Sequence, residues 1–373
     1  MRKLGWPPLP PRIDASAPPW AVAESKEARE DEMRSGRLRL RILVPIMIAA
    51  VFLSALSAEA KRPRVRFKVA TIAPEGSTWM KLMHELDQRV RAETDGEVGF
   101  KFYPGGQQGS DLDVLRKMRT GQIHGAGLTG VGLGQIESSL RIMELPFLFR
   151  NAQEVSLAHE VLDPTFERRL ADRGFHLLGW AEVGFVNFFS QVPVRSLADL
   201  KARKTWLWEG DPLAEAFLDE LGVTPVPLNL TDVLTSLQTG IVDAVYATPY
   251  ACLSLQWFTR LNYMTDIPIT HALGAVVLSQ SQFDKLRPDE AEALERIAAE
   301  IFSRLLAATR AQNDEAAAAI SERNIERIDP QAGALAEFEA VGRRVWQRLA
   351  GELYDPELLD RLTAALEAAR QQG

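Results

Sequence analysis

The segment VRFKVATI, residues 65–72, opens the alternation of strands and helices that decides the fold class of this chain. Basic and apolar side chains alternate in it, as they do in a β-strand. A turn follows, and Ser77 is placed to cap a helix over residues 78–93. The apolar residues of this helix recur at helical spacing: Trp79, Leu82, Met83, Leu86 and Val90.

The same alternation continues along the chain. Helices are predicted to end at Gly121 and Gly240, since glycine is common just past a helix. Residues 145–149 are apolar and predicted to be extended around Pro146. The order suits an α/β domain whose strands end at a common edge. The predicted elements are strand 98–103, helix 111–120, strand 123–128, helix 152–173 interrupted near Pro164, strands 175–180 and 183–190, helix 212–221, strand 224–227, helix 231–239 and strand 244–247.

Residues 288–324 form a long alanine-rich run with almost no helix breaker. A helix of roughly 35 residues is about 50 Å long, so it can brace two parts of a molecule. Two shorter helices, predicted over residues 333–350 and 356–371, close the chain.

Composition excludes some classes of function. The chain has 373 residues, of which 46% are hydrophobic and 25% charged, enough for two globular domains. Its net charge of −7, with no basic run interleaved with aromatic residues, argues against nucleic-acid binding. Cys252 is the single cysteine, so no internal disulfide can form.

The N-terminal part carries the three-part pattern of a secretory signal. Residues 37–41 are basic, residues 42–56 are apolar, and a small-x-small site ends at Ala60. We expect cleavage after Ala60 and a periplasmic mature protein; an uncleaved anchor is the alternative. Residues 1–32 form an extension before Met33, which is a possible true start of the protein.

Motifs of catalysis and of metal or cofactor binding are incomplete or absent in this sequence. Residues 125–130 match the dinucleotide pattern G-x-G-x-x-G, but the expected context of a preceding full strand and an opening helix is lacking. We therefore predict a loop whose backbone must approach another group closely. No histidine pair has metal-ligand spacing, and no nucleophile elbow or P-loop is present. The sequence predicts no metal, no cofactor and no enzyme.

Two tryptophans on one face of a predicted strand allow two interpretations. Alternate side chains of a strand share a face, so Lys204, Trp206 and Trp208 point one way. The indoles either fill the core of a half-buried strand or floor a ligand pocket. The residue types alone leave both interpretations open.

Several stretches together resemble the solute-binding proteins of TRAP (tripartite ATP-independent periplasmic) transporters, a DctP-like family. Each stretch is short, but their order and spacing are specific, and the resemblance covers roughly residues 65–325. The similar stretches are APEGSTW at 73–79, FYPGGQQG at 102–109, LPFLF at 145–149, LADLK at 197–201, LGVTPVP at 221–227 and LQTGIVD at 237–243.

The resemblance implies an α/β, two-lobe, periplasmic-binding-protein-like fold with a ligand cleft between the lobes. Lobe I is expected to comprise residues 61–184 plus 273–312, and lobe II residues 185–272 plus 313–373, bridged by the helix at 288–324. It also implies a small-molecule ligand, no catalysis, and partnership with the membrane subunits of a TRAP permease. One similar branch of the family uses an additional helical-repeat periplasmic partner.

The chain departs from this family where the ligand is held. Family members that carry organic acids hold the carboxylate with an arginine on the strand after the LADLK segment, and the aligned residue here is Trp206. A second arginine used by some members aligns with Val186, and a polar triplet is replaced by residues 245–247. Because an unpaired buried carboxylate is costly, we expect an apolar, amphipathic or aromatic ligand.

Three alternatives remain open. They are an acid held by Lys204 or another non-standard cation, a binding or sensor module that works without a permease, and a secreted enzyme on the same fold. The predicted ligand-binding residues are Glu75, Trp79, Thr129, Val186, Asn187, Trp206, Trp208, Glu209 and Tyr246.

Overall fold

The computed structural model describes residues 62–372. The predicted extension, signal segment and cleavage after Ala60 lie outside the described residues. The strands are β1 Val65–Thr71, β2 Val98–Tyr103, β3 Gly125–Thr129, β4 Phe175–Trp180, β5 Gly184–Ser190, β6 Trp206–Trp208, β7 Val226–Leu228, β8 Ala244–Ala247, β9 Tyr263–Thr265, β10 Thr270–Ala272, β11 Gly274–Ser279 and β12 Glu326–Ile328.

Most of the α-helices lie where they were predicted, and short 3-10 helices occur between some of them. Among the residues described, none of these helices has both the length and the apolarity needed to cross a membrane. The α-helices are α1 Thr78–Glu93, α2 Asp111–Arg119, α3 Gly130–Ile136, α4 Ala152–Asp172, α5 Leu197–Lys201, α6 Pro212–Glu220, α7 Val233–Thr239, α8 Pro249–Ser254, α9 Gln280–Phe283, α10 Pro288–Ala319, α11 Ala334–Leu349 and α12 Pro356–Gln372.

Two main sheets organise the described part of the chain. The first has the strand order β2-β1-β3-β11-β4, with β1 parallel to β2 and β3, and β11 antiparallel to its neighbours. The second has the order β10-β5-β9-β12, with β8 also paired to β5. The short parallel pair β6-β7 is attached to β8 through a bridge between Thr205 and Ala244.

Two of the three segments that cross between the sheets are short and lie side by side; the third is α10, which leads from β11 to β12. Residues 181–183 connect β4 to β5, and Leu273 connects β10 to β11. Backbone hydrogen bonds join the crossings: Ala181 N–H donates to Gly274 O over 2.7 Å, and Val183 N–H donates to Ala272 O over 3.0 Å. The crossings therefore form a narrow two-stranded connection.

The predicted long helix is confirmed. Helix α10 runs for 32 residues, continues into a 3-10 turn over Ile320–Arg323, and ends at Asn324 in the left-handed conformation (φ 61°). It packs against α1 and β4 on the side of the first sheet, and against α8 and β5 on the side of the second. This helix thus contacts elements that belong to both sheets.

The predicted division into lobes differs from the packing in one respect. Residues 313–373 were assigned to lobe II, but α12 packs on α4, which in turn lies against β4 of the first sheet. Helix α11 packs on α5 and α6 instead. The physical reason is that Leu358, Leu362 and Leu366 of α12 are buried in the cluster that also holds Leu162 and Phe166 of α4.

Three local predictions are corrected. Helix α4 passes through Pro164 without interruption, because Leu162 and Phe166 on either side are fully buried and hold the helix against the first sheet. Residues 125–134 are not a loop, since β3 leads directly into α3. The segment around Pro146 is a turn, and Phe147 has a φ of 59°.

The predicted close approach of the glycine-rich backbone is confirmed. A Cβ atom at Gly132 would lie 2.7 Å from Asp111 Oδ2, and one at Gly127 would lie 2.7 Å from the Trp79 ring. A Cβ atom at Gly130 would collide with the carboxylate of Glu144. These positions need glycine because neighbouring side chains occupy the space of a Cβ.

Candidate functional site

A cavity of about 600 Å³ lies between the two sheets. On the first sheet it is lined at the carboxyl ends of β1 and β3, where parallel strands commonly place a binding site. The second sheet contributes β5 and the junction of β8 with α8, the attached pair contributes β6, and α10 contributes Thr309 and Gln312. This volume suits a small organic molecule.

The aromatic wall of the cavity is built around Trp206. This side chain is 1% exposed and stacks on Tyr246 with ring centres 4.9 Å apart. Trp257 meets it edge-on at 5.3 Å, and Trp208 lies 5.7 Å away. The indole N–H donates to Leu228 O over 3.0 Å, so its polar atom is satisfied within the protein. The small part of Trp206 that faces the cavity is therefore apolar ring, and the half-buried rings of Trp208 and Tyr246 extend this wall.

Tyr246 adds a polar group to this wall. Its hydroxyl oxygen accepts a hydrogen bond from Trp208 N–H over 3.0 Å. Burial, with the charge of Asp211 adding to it, raises the pKa of the Tyr246 phenol, which stays neutral. Within residues 62–372 the phenol proton forms no hydrogen bond, so it remains available to a ligand.

A buried ion cluster forms the polar part of the cavity. Arg141 lies on a 3-10 helix over Ser138–Glu144 and is 4% exposed. Its Nη2 atom lies 2.9 Å from Asp211 Oδ1 and 3.1 Å from Oδ2. Its Nε atom lies 2.7 Å from Glu144 Oε2, but the N–H is not aligned for a hydrogen bond. We call Arg141, Glu144 and Asp211 the Arg141 cluster.

The backbone holds both carboxylates of the Arg141 cluster in place. Asp211 caps α6, and its Oδ1 accepts from the N–H groups of Leu213 and Ala214 at 3.0 and 3.1 Å. Glu144 Oε1 accepts from Leu273 N–H over 2.7 Å, which ties the cluster to one crossing between the sheets. Burial raises the pKa of the Glu144 carboxyl, with Asp211 raising it further against the opposing effect of Arg141.

Arg141 and Glu144 are not among the binding residues predicted from the sequence. A signal was present: an arginine and a glutamate three residues apart interrupt the otherwise apolar segment that leads into residues 145–149. Charged side chains are rarely buried unless they are paired. Their partner Asp211 is 70 residues from Arg141 in sequence, and no local pattern connects them.

A second buried cluster lies at the crossings. Glu182 accepts hydrogen bonds from Arg310 on α10, at 2.7 Å and 3.0 Å, and its Oε2 lies 3.4 Å from His271 Nε2. Burial alone would raise the pKa of Glu182, but hydrogen bonds from His271 and Arg310 lower it to about 2. The carboxylate that links the crossings to α10 is therefore ionised.

Seven of the nine predicted ligand-binding residues line the cavity. Of these, Thr129 donates its hydroxyl proton to Asp111 over 2.7 Å, and Glu75 lies 3.1 Å from His84. The seven are Glu75, Trp79, Thr129, Val186, Trp206, Trp208 and Tyr246.

Asn187 and Glu209 do not line the cavity, which corrects their prediction as ligand contacts. Val186 and Phe188 face the cavity, so the intervening Asn187 points to the other side of β5, where its amide donates to Thr265 O over 3.3 Å. Glu209 is exposed and accepts from the Asn229 amide over 2.8 Å.

Lys204 also lies outside the cavity. It is exposed, and its ammonium donates to Gly240 O over 3.0 Å. Among the residues described, Arg141 is the single lining residue with a positive charge; the other charged lining residues are Glu75, Glu144, Glu182 and Asp211. No group of three or more His, Cys, Asp or Glu within the described residues is arranged to hold a metal ion.

Two α/β lobes with a cavity between them define a solute-binding protein. The family model described as "Bacterial extracellular solute-binding protein, family 7" (DctP) matches residues 69–352. The chain belongs to this family, which consists of substrate-binding transport proteins and not of enzymes. Its members bind small solutes in the periplasm and work with the membrane subunits of a TRAP permease.

Related proteins and structures agree with this assignment. The YiiZ protein of Salmonella typhimurium is 25% identical over 73% of this chain and 81% of its own length. A C4-dicarboxylate-binding periplasmic protein of Rhodobacter capsulatus is 22% identical over 89% of this chain and 98% of its own. A Bordetella pertussis extracytoplasmic solute receptor binding pyroglutamic acid is similar in structure with a TM-score of 0.74, at 18% identity, over 80% of this chain and 98% of that one.

Proposed function

We propose that this TRAP solute-binding protein captures a small apolar or amphipathic solute in the cavity and delivers it to its permease. The observation that carries the proposal is Trp206. It forms the aromatic wall with Tyr246 and Trp257. In the alignment with acid-binding members of the family, its position is that of the arginine that holds the carboxylate. The wall favours apolar surface where those members offer a charge.

The size of this effect is sufficient to select ligands. Trp206 itself is 1% exposed, so the ring surface that a ligand can cover belongs mainly to its half-buried neighbours Trp208 and Tyr246. At about 25 cal/mol per Å², covering about 100 Å² of apolar ring surface favours an apolar group by about 2.5 kcal/mol as an upper estimate. A ligand carboxylate would instead lose its hydration and need a new cationic partner. Apolar burial therefore outweighs charge recognition at this wall.

The competing function is capture of an organic acid by a non-standard cation. Lys204 is exposed and outside the cavity, and the charge of Arg141 is already shared by Glu144 and Asp211. A third carboxylate would be repelled by both. The dicarboxylate and pyroglutamic acid that two related proteins bind are ligands of those proteins, and the altered wall argues against carrying them over.

The family membership suggests how the protein is processed and which partners it binds. We infer two lobes that close on the ligand, secretion with cleavage after Ala60, and docking on TRAP permease subunits, with a helical-repeat partner as a further candidate. A sensor without a permease would use the same cavity. Permease genes found beside this gene would favour transport over sensing, and the mass of the mature N-terminus tests the cleavage.

The deciding experiment identifies what the protein carries. Purified mature protein is denatured, and the released compound is identified by mass spectrometry. The protein is then titrated with that compound and with a panel of small dicarboxylates, and the quenching of indole fluorescence measures binding. We expect an apolar or amphipathic compound and weak dicarboxylate binding, and tight binding of a small dicarboxylate would refute the proposal.

A further inference from the structure

The Arg141 cluster determines what the polar end of the ligand can be. It places one guanidinium between two carboxylates in the wall of the cavity. With both carboxylates ionised the cluster has a net charge of −1. Burial raises the pKa of the Glu144 carboxyl, and protonation of this group would bring the charge to zero. In neither state does the cluster attract an anion by its net charge.

The cluster and its aromatic neighbour still offer unused hydrogen-bonding groups. Within the described residues, Arg141 Nη1 forms no hydrogen bond, nor does the proton of the Tyr246 phenol. Both residues line the cavity. Glu144 Oε2 is fully buried and lies 2.7 Å from Arg141 Nε, so this carboxylate acts on a ligand through its charge and not through a direct contact. The groups that the cavity offers to a ligand here are therefore hydrogen-bond donors.

We propose that the solute carries an un-ionised group that accepts hydrogen bonds, such as the carbonyl of an amide, and that Arg141 and Glu144 select it against a carboxylate. The carbonyl oxygen accepts from Arg141 and Tyr246. The negative charge of Glu144 beside Arg141 disfavours a ligand carboxylate at the same place. This inference rests on the proposed function, because the aromatic wall around Trp206 holds the apolar body of the same solute.

The backbone gives this arrangement its rigidity. Asp211 is fixed by the first turn of α6, and Glu144 by Leu273 N–H. Gly130 leaves room for the Glu144 carboxylate, which a Cβ at that position would displace. Arg141 therefore cannot turn away from its carboxylates to meet an anionic ligand without breaking buried ion pairs.

The first test compares amides with acids of the same shape. The purified full chain is titrated by indole fluorescence with phenyl-capped primary amides of two to six methylenes and with the matching carboxylates. We expect each amide to bind at least tenfold more tightly than its acid. An acid that binds as tightly as its amide overturns the inference but leaves an amphipathic ligand in place. Failure of every compound to bind would count against the proposed function itself.

The second test alters the selecting carboxylate. Glu144→Gln keeps the shape of the side chain and its acceptor for Leu273 N–H, but removes one negative charge beside Arg141. We expect the preference for amide over acid to fall at least tenfold, through tighter binding of the acid. An unchanged preference in a folded variant contradicts the role of Glu144.

The matched control is Glu137→Gln. Glu137 is also buried, precedes the same 3-10 helix, and pairs with Arg169 and Arg173 away from the cavity. Its replacement should leave the amide preference unchanged. Thermal unfolding of both variants confirms that they are folded, and the comparison of amides with acids on the unaltered protein stands even if Glu144→Gln does not fold.

Discussion

At the residue scale, Trp206 is the side chain whose replacement should change ligand binding most. Its ring is buried among Tyr246, Trp208 and Trp257 and also lines the cavity. The two interpretations that the sequence left open, core and pocket, therefore both describe the same side chain. Its environment holds aromatic rings rather than carboxylates, so a charge introduced there would lack a partner.

Trp206→Arg is expected to weaken binding of the co-purified solute at least tenfold, which corresponds to about 1.4 kcal/mol. The guanidinium replaces apolar contact surface and must be desolvated. Calorimetric titration measures the affinity. Lys204→Ala, on the same segment but exposed and outside the cavity, should bind as the unaltered protein does. Unchanged affinity in Trp206→Arg would leave this residue with a core role alone.

Gly130→Ala is expected to destabilise the protein by about 1–3 kcal/mol, because the added Cβ would collide with the Glu144 carboxylate and force it to move. Gly121→Ala is the comparison, since nothing lies within 4 Å of its Cβ and only its φ of 71° is unfavourable. Its destabilisation should be about 1 kcal/mol. Denaturant unfolding measures both, and an equal effect would contradict a special steric constraint at Gly130.

At the scale of elements, α10 and the two crossings are joined by one buried ion pair. Arg310 of α10 donates to Glu182, beside His271, and to Ser156 Oγ of α4 over 3.1 Å. Asn313 adds a hydrogen bond to Val183 O over 2.9 Å. A helix that contacts both sheets is thereby fixed to the connection between them, so relative movement of the sheets must occur around this point.

Arg310→Gln should destabilise the protein by about 3–5 kcal/mol at neutral pH, because Glu182 would be buried without its main partner. The pKa of Glu182 is lowered in the folded protein to about 2. Its contribution is therefore present above the unfolded pKa and lost as the pH falls toward 2. Between about pH 4.5 and 2, stability should fall less in Arg310→Gln than in the unaltered protein.

Denaturant unfolding across this pH range measures the difference. Arg304→Gln is the control on the same helix, because Arg304 pairs with Glu85 at the surface. Exposed pairs contribute little to stability, so this variant should follow the unaltered protein. Parallel pH profiles for all three proteins would exclude Glu182 as a main source of the pH dependence.

At the scale of the whole molecule, the cavity is lined by elements of both sheets and by both crossings. A ligand there contacts both lobes and can favour a closed arrangement only through contacts that an open one lacks. The narrow connection at residues 181–183 and Leu273 is the part of the backbone that such a movement would use.

Addition of the co-purified solute at one hundred times its Kd should raise the free energy of unfolding by about 2.7 kcal/mol. The radius of gyration measured by X-ray scattering should fall at the same time, because the lobes close on the ligand. Stabilisation without any change in the radius of gyration would show a cavity that binds its ligand without closure.

The sequence by itself determined the alternation of strands and helices, the long helix α10 and the family. These depend on periodicity and on residues near one another in the chain, such as the Ser77 cap of α1 and the apolar face of that helix. The sequence also indicated that Trp206 contacts the ligand, because this residue aligns with the arginine that holds the carboxylate in acid-binding members. The proposal of an apolar ligand began there.

Only the tertiary structure decided which side chains meet. Arg141 and Asp211, 70 residues apart, are brought together by the packing of the two lobes, and no local pattern specifies that pairing. Asn187 was lost from the site because β5 turns Val186 toward the cavity, and alternate side chains of a strand face opposite ways. Helix caps and apolar periodicity depend on residues that are neighbours in the chain, so the sequence reveals them. The polar end of the cavity depends on strand register and on chain crossings that join distant segments.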